Sequence, residues 1–144
     1  MIRRATLHDK ADVIALMKDF RSESPIAHVY GEDDEAYWVQ LLSNIFAGQG
    51  AIFYAEGKGL LMSMILPSVW SPKVLALHEM AWYVRPDFRN GTIGYRLFKE
   101  YVEFGKALKD QGRIKYFTVS KMISSPALKY DKYGFRKIDE NWIQ

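Results

Sequence analysis

The second half of this chain predicts a long apolar strand, then a turn rich in proline and glycine, then an amphipathic helix. The strand spans Val74 to Val84, and apolar residues at helical spacing continue from Ile93 to Leu108 before Gly112 ends the helix. Residues 114–119 read as a buried strand. A strand, a helix and another strand in this order form a βαβ unit, whose strands are parallel and whose crossover is right-handed.

The rest of the chain adds strands and helices to this unit. An antiparallel hairpin is predicted where Gly57, Lys58 and Gly59 separate two apolar runs. The other predicted elements are strands at 2–6, 51–55, 60–66 and 135–143, helices that begin at Asp9, at Asp33 or Asp34, and at Ser125, and a loop at 67–72. The order β-α-α-β-β-β-α-β-α-β predicts a mixed α/β (α+β) fold, with a central twisted sheet of about six to seven strands and about four helices.

Composition limits the class of protein. A chain of 144 residues with 49% hydrophobic residues predicts a single domain that spans residues 1–144. There is no cysteine, and His8, His28 and His78 lie far apart in the sequence, so no metal site is predicted. The chain has neither a signal peptide nor an apolar run near the roughly 20 residues of a membrane span, which predicts a cytoplasmic protein without a membrane partner.

The charges are unevenly distributed along the chain. Residues 1–72 carry six basic and nine acidic residues, whereas residues 73–144 carry fourteen basic and eight acidic ones. The second half is therefore suited to an anionic ligand, unless the imbalance is only chance. Nucleic acid is not the predicted partner, because the net charge is only +3 and no RNP1-like stretch accompanies Tyr116 and Phe117.

The turn between the long strand and its helix has the composition of an anion site. A helix N-terminus offers unpaired backbone N–H groups and the positive end of the helix dipole. Pro86 fixes the entry to the turn, Asn90 and Gly91 can take left-handed backbone angles, Gly94 permits close approach, and Arg89 can bind a phosphate oxygen. The same residues also suit a tight strand-to-helix connection, and the turn matches neither a P-loop nor a dinucleotide fingerprint.

Two motifs resemble signatures of the GNAT superfamily of N-acyltransferases. Val84-x-Pro86-x-x-Arg89-x-x-Thr92-x-Gly94 resembles its acetyl-CoA-binding motif, V-x-P-x-x-[RQ]-x-x-G-x-[GA], except that Thr92 stands where glycine is usual. Residues 130–135, Tyr-Asp-Lys-Tyr-Gly-Phe, resemble the C-terminal signature Y-[ED]-K-x-G-F, and the element order fits along nearly the whole chain. The resemblance implies a GNAT-like fold and acetyl-CoA as cosubstrate.

The implied activity is transfer of an acetyl group from acetyl-CoA to a primary amine acceptor, either a small molecule or a protein amino group. Transfer would be direct, in a ternary complex, because the chain has no cysteine to form an acyl intermediate. The alternative is a non-catalytic acyl-CoA-binding sensor or interaction module of the same fold. The sequence is compatible with a homodimer.

The resemblance also implies which residues bind the cofactor. Backbone groups of Trp82 and Val84 would bond the pantetheine arm like an added strand, in a gap where this strand separates from the one that begins near Ile114. The pyrophosphate would lie on the turn that follows, formed by Arg89, Asn90, Gly91, Thr92, Ile93 and Gly94.

Candidate catalytic residues follow from the same comparison and from side-chain chemistry. Tyr130 matches the position of a general acid, although it could be a packed core tyrosine or be confused with Tyr133. His78 and Glu79 are alternative bases, and a relay through water needs neither. The two residues point to opposite faces of a regular strand, and a bulge would exchange them. His78 titrates in a suitable range, whereas Glu79 needs burial to raise its pKa.

The acceptor amine has one candidate recognition element. The acidic run from Glu32 to Glu35, beside Tyr37 and Trp38, could attract a cationic amine. A solvated helix start has the same composition, so the sequence leaves both interpretations open.

Overall fold

Five strands form one mixed sheet in the computed structural model, which describes residues 1–144. The strands are β1 (Arg3–Arg4), β2 (Gly50–Ala55), β3 (Gly59–Ser68), β4 (Ser71–Val84) and β5 (Tyr116–Thr118), and the α-helices are α1 (Lys10–Glu23), α2 (Glu35–Asn44) and α3 (Ile93–Asp110). The strand order is β1-β2-β3-β4-β5; β4 and β5 pair in parallel and all other neighbours are antiparallel. The predicted mixed α+β class, the hairpin and the parallel βαβ unit are confirmed.

Local signals in the sequence explain where the helices begin and end. Asp9 accepts a hydrogen bond from the Thr6 backbone N–H at 2.8 Å, in a capping box that precedes α1. The Asp34 side chain caps α2 by accepting from the Tyr37 backbone N–H at 3.0 Å. Gly112 follows α3 with a φ of +71°, a left-handed conformation that favours glycine at the end of a helix.

The sheet buries a core on each face. α1 and α2 cover one face, where the largest buried side chains are Leu16, Leu42, Ile45, Ile52, Tyr54, Leu60 and Tyr83. α3 covers the other face, where the buried side chains are Ala51, Phe53, Leu61, Leu77, Leu97, Tyr101, Leu108 and Ile114. β4 contributes to both cores, so its side chains alternate between two different environments.

The number of elements differs from the prediction at the C-terminal end. There are five strands instead of six or seven and three α-helices instead of four. The predicted helix at 125–133 is only a 3₁₀ turn, Tyr130–Tyr133, and residues 135–143 form no strand. Ile138, Trp142 and Ile143 are 69%, 84% and 63% exposed, and their spacing lacks the period of two that one buried face requires.

The predicted loop at 67–72 is also wrong, because β3 and β4 continue to a turn at Val69 and Trp70. Pro67 pairs with Leu75 inside this extension. β2 pairs with β3 only as far as Met64. Beyond that point only β3 and β4 pair with each other, so the outer edge of β3 has no neighbouring strand. Proline is tolerated at such an edge because a missing backbone N–H costs nothing there.

No helix in the chain has both the length and the apolar character that crossing a membrane requires.

Candidate active site

β4 and β5 part inside the sheet, and we call the place where they separate the fork. Their pairing ends at His78 and Thr118, whereas β4 continues to Val84 and pairs there with β3 alone. The backbone of residues 79–84 therefore has an edge that no strand of the chain covers. An extended ligand can add to such an edge as a further strand. This is the separation that the sequence analysis predicted beside Trp82 and Val84.

A bulge at the fork decides which side chains share a face of the sheet. Met62 pairs with Ala81 but Ser63 pairs with Glu79, so Met80 is an extra residue in β4. Trp82 and Val84 pack against the core under α3, while Ala81 and Tyr83 pack under α1 and α2. The extra residue therefore places Glu79 on the α3 face together with Trp82, although the two are three positions apart in the strand.

Glu79 is held at the fork in an environment that favours its neutral form. Its carboxylate accepts a hydrogen bond from the Ser120 backbone N–H at 3.0 Å. Burial nevertheless raises the pKa of Glu79 to about 7, against which the Ser120 bond has the smaller effect. A carboxyl group with this pKa exchanges protons near neutral pH, which suits a general base.

Tyr130 lies on the same face as Glu79. Burial and the negative charge of Glu79 both raise the pKa of the Tyr130 hydroxyl, so it keeps its proton near neutral pH. Its ring packs edge-on against Phe98 of α3, at 6.0 Å between ring centroids. Trp82 stacks on the same Phe98 ring at 5.2 Å. The structure thus brings a candidate base and a candidate acid together beside the uncovered edge of β4.

His78 faces the opposite side of the sheet. Its Nδ1 lies 2.8 Å from the Thr118 hydroxyl, and its ring meets Tyr116 edge-on. Burial lowers the pKa of His78. Of the two alternative bases, Glu79 is the one that shares a face with Tyr130.

The C-terminal signature forms a tight turn that positions Tyr130. Gly134 follows the 3₁₀ turn with a φ of +85°, where a side chain would be strained. The Phe135 backbone N–H donates to the Tyr130 carbonyl at 3.2 Å, and the Phe135 ring packs against Phe98 and Phe117. Tyr133 is distinguished from Tyr130 because its ring packs against Tyr95, at 6.3 Å between ring centroids, and the charge of Glu79 affects the pKa of Tyr130 but not that of Tyr133.

The turn between β4 and α3 leaves the start of the helix accessible. Pro86–Phe88 is a 3₁₀ turn, and neither Asn90 nor Gly91 has a positive φ, so the predicted left-handed angles are wrong. The chain enters α3 directly from the 3₁₀ turn through ordinary conformations. Thr92 occupies the N-cap without a side-chain capping bond, which leaves the first N–H groups of α3 without a side-chain partner.

Arg89 makes bonds within the protein that the sequence analysis did not predict. Its Nε donates to the Val84 carbonyl at 2.7 Å, and its Nη2 donates to the Glu23 carboxylate at 2.9 Å. The guanidinium lies over the Tyr83 ring, 5.4 Å from its centroid. Arg89 therefore joins the end of α1 to the end of β4, and it occupies a backbone carbonyl on the uncovered edge.

Two cavities lie elsewhere on the surface. One of about 290 Å³ adjoins the first turn of α3, and its lining has three basic residues, Arg3, Lys58 and Arg96, against one acidic residue, Glu56, so its net charge favours an anion. The larger one, about 530 Å³, lies beside β1, β2 and the end of α2, and Arg4 is its only charged lining residue. The larger cavity offers no acid–base pair, and no cluster of three metal-ligating side chains occurs in the chain.

Comparisons with solved structures identify the fold. A possible acetyltransferase from Clostridium difficile 630 has a TM-score of 0.69 and 16% identity, over 100% of this chain and 95% of that one. An aminoglycoside acetyltransferase from an uncultured soil metagenomic sample has a TM-score of 0.64 and 17% identity, over 100% and 95%. A transcriptional regulator from Bacillus halodurans C-125 has a TM-score of 0.68 and 16% identity, over 100% and 97%. The chain has a GNAT-like fold, shared with solved proteins that are named as acetyltransferases.

These likenesses show the fold alone, since the identities of 16–17% are far below 25%. No protein-family model matches the chain, and no curated protein matches it. The site residues therefore depend on the geometry of this chain.

In this GNAT fold the acidic run from Glu32 to Glu35 serves helix packing. Asp33 lies 3.4 Å from Arg21, Glu35 pairs with Lys18, and Asp34 is the cap of α2. These contacts join α2 to α1. They favour the helix-start interpretation of the run over amine recognition.

Proposed function

We propose that this protein is an N-acetyltransferase that transfers an acetyl group from acetyl-CoA to a primary amine in a ternary complex. The observation that carries the proposal is the placement of Glu79 and Tyr130 on one face beside the uncovered edge of β4. The acetyltransferases that share the fold support the general reaction class.

The free backbone groups of the site fit an acyl-CoA. The uncovered edge suits the amide-containing pantetheine arm at Trp82 and at the N–H of Val84, whereas the Val84 carbonyl is bonded to Arg89. The first turn of α3 suits a diphosphate, because its N–H groups have no side-chain cap and basic residues surround it. Nothing in the protein fills the space at Gly94, where an added Cβ would meet only Val84 Cγ2, at 3.7 Å.

Each candidate residue has one proton to move. Acetyl-CoA would supply a thioester whose carbonyl carbon forms the new C–N bond while the C–S bond breaks. Glu79, as a carboxylate, accepts the proton that the attacking amine loses, directly or through water. Tyr130 donates its proton to the departing thiolate sulfur. Charge and atoms balance with an amide and a thiol as products, and a proton transfer from Glu79 to the Tyr130 phenolate through water restores the starting state.

The first test is a thiol-release assay of the purified protein with acetyl-CoA and a panel of primary amines. Release that depends on both substrates supports the proposal. Tight binding of acetyl-CoA without release, for any amine in the panel, supports instead the non-catalytic acyl-CoA-binding module. Two observations favour this second candidate: Thr92 in the cofactor motif, and the bond of Arg89 to Glu23.

The pH dependence follows from the pKa of Glu79. The base is active as a carboxylate, so kcat/KM is expected to rise as pH increases through about 7 and to level above it. The profile should be measured with an amine that stays neutral across the whole range, since deprotonation of the acceptor would otherwise contribute. A profile that is flat from pH 6 to 8 contradicts the role of Glu79.

Glu23 competes with a bound diphosphate for Arg89. Glu23→Gln removes an ion pair that is largely exposed, and such pairs contribute about 0–1 kcal/mol, so CoA should bind about two- to fivefold more tightly. Titration calorimetry measures the change. Asp19→Asn is the matched control, because it removes the Arg85 ion pair on the same helix and leaves Arg89 untouched. Weaker binding by Glu23→Gln would show that Glu23 holds Arg89 in its binding position.

A further inference from the structure

Tyr101 places a buried hydroxyl at the fork between β4 and β5. Its side chain projects from α3 and is 0% exposed. The hydroxyl donates to the carbonyl of Thr118, the last residue of β5, and lies 3.4 Å from the carbonyl of Leu77 in β4. One side chain thus contacts both strands at the last pairs before they separate.

These bonds account for the end of strand pairing. A parallel ladder continues only where a carbonyl of one strand meets an N–H of the other. At the fork the Thr118 carbonyl is bonded to Tyr101, so it is satisfied without the opposite strand. An unpaired buried backbone group would be costly, which makes the hydroxyl a stable substitute for the next pair of the ladder.

We propose that Tyr101 is a positioning residue that fixes where β4 and β5 separate, and with it the depth of the slot for the pantetheine arm. The role in the slot rests on the proposed function. Tyr101 does not reach the reacting atoms. It acts through the backbone at the fork, where it bonds the Thr118 carbonyl and contacts the Leu77 carbonyl, two positions before Glu79.

The packing of α3 on β5 supports this role independently. Gly105 follows Tyr101 by one helical turn, and an added Cβ there would lie 2.6 Å from the Phe117 ring. The absence of a side chain at Gly105 lets α3 approach β5 closely. Phe117 also meets the Tyr101 ring edge-on at 5.9 Å. This close packing of α3 on β5 brings the Tyr101 hydroxyl within hydrogen-bonding distance of the strands.

Tyr101→Phe tests the proposal, because it keeps the ring and removes the hydroxyl. The matched control is Tyr54→Phe, which removes a hydroxyl bonded to Asp12 at 2.9 Å in the other core. Two quantities are measured for each variant: the exchange rates by NMR of the His78 and Thr118 backbone amides, which belong to the last pair before the fork, and the dissociation constant for CoA by calorimetry. The exchange measurement requires no ligand.

Tyr101→Phe, and not Tyr54→Phe, is expected to accelerate exchange of the His78 and Thr118 amides and to weaken CoA binding by up to about tenfold, the effect of one hydrogen bond. The proposal is overturned if either quantity changes no more than in Tyr54→Phe. If the wild-type protein binds no CoA, the proposed function fails and the slot with it. The exchange rates then still decide whether Tyr101 sets the end of strand pairing.

Discussion

Glu79→Gln is expected to lower kcat/KM for acetyl transfer by about 10²- to 10³-fold, within the range typical of general acid–base catalysis. Glutamine has the same shape and can still accept the hydrogen bond from the Ser120 N–H, but it cannot accept a proton from the amine. The rise of kcat/KM through about pH 7 should disappear in the same variant. A steady-state assay across pH measures both effects.

The same variant should be more stable than the wild-type protein above neutral pH. The pKa of Glu79 is raised from 4.5 to about 7, so the folded state disfavours the carboxylate. The free energy of unfolding therefore falls as pH rises from about 4.5 to 7, by at most about 3 kcal/mol, and stays low above that. Glutamine has no charge to lose. Denaturant titration at pH 8 would thus separate lost activity from lost folding.

His78→Gln provides the comparison within the strand. His78 is adjacent to Glu79 in sequence but faces Thr118 and Tyr116 on the other side of the sheet. Its loss should change kcat/KM by less than about tenfold, the effect of one hydrogen bond. If His78→Gln removes the activity and Glu79→Gln retains it, the assignment of the base is reversed.

The contrast between these two residues shows what a single sequence can specify. Periodicity predicts that His78 and Glu79 face opposite sides of the sheet, because the alternation of side chains is a property of β4 alone. The bulge at Met80 is a shift in the pairing of β3 with β4: Met62 pairs with Ala81, but the next residue, Ser63, pairs with Glu79. Such a shift is defined only by two paired strands. The sequence alone therefore names two candidate residues for the general base but does not choose between them.

Long-range contacts account for the other differences. Arg89 was correctly placed in the turn, but its bonds to Glu23 join residues 66 positions apart and leave no local pattern. Tyr101 reads in the sequence as one more apolar residue of α3, since the Thr118 carbonyl that it bonds lies on a different element. In contrast, the βαβ unit and the hairpin follow from local periodicity and turn residues, and both were predicted.

Gly94→Trp should abolish measurable binding of CoA, a loss of more than about 100-fold. Gly94 lies in the first turn of α3, where the proposed diphosphate accepts backbone N–H bonds. A bulky side chain there holds the ligand away from these groups, and two lost charge-assisted hydrogen bonds account for a change of this size. Lys106→Trp is the matched control, because it places tryptophan at an exposed position of the same helix.

Gly94→Ala separates binding from folding more finely. An added Cβ meets Val84 Cγ2 at 3.7 Å, an ordinary contact, and alanine favours a helix over glycine by roughly 0.5–1 kcal/mol. The variant should therefore melt at a temperature equal to or above that of the wild-type protein while binding CoA more weakly. An unchanged or higher melting temperature together with weaker CoA binding cannot result from unfolding. If both Gly94 variants bind CoA as the wild-type protein does, the diphosphate lies elsewhere, and the cavity that contains Lys58 and Arg96 becomes the next site to test.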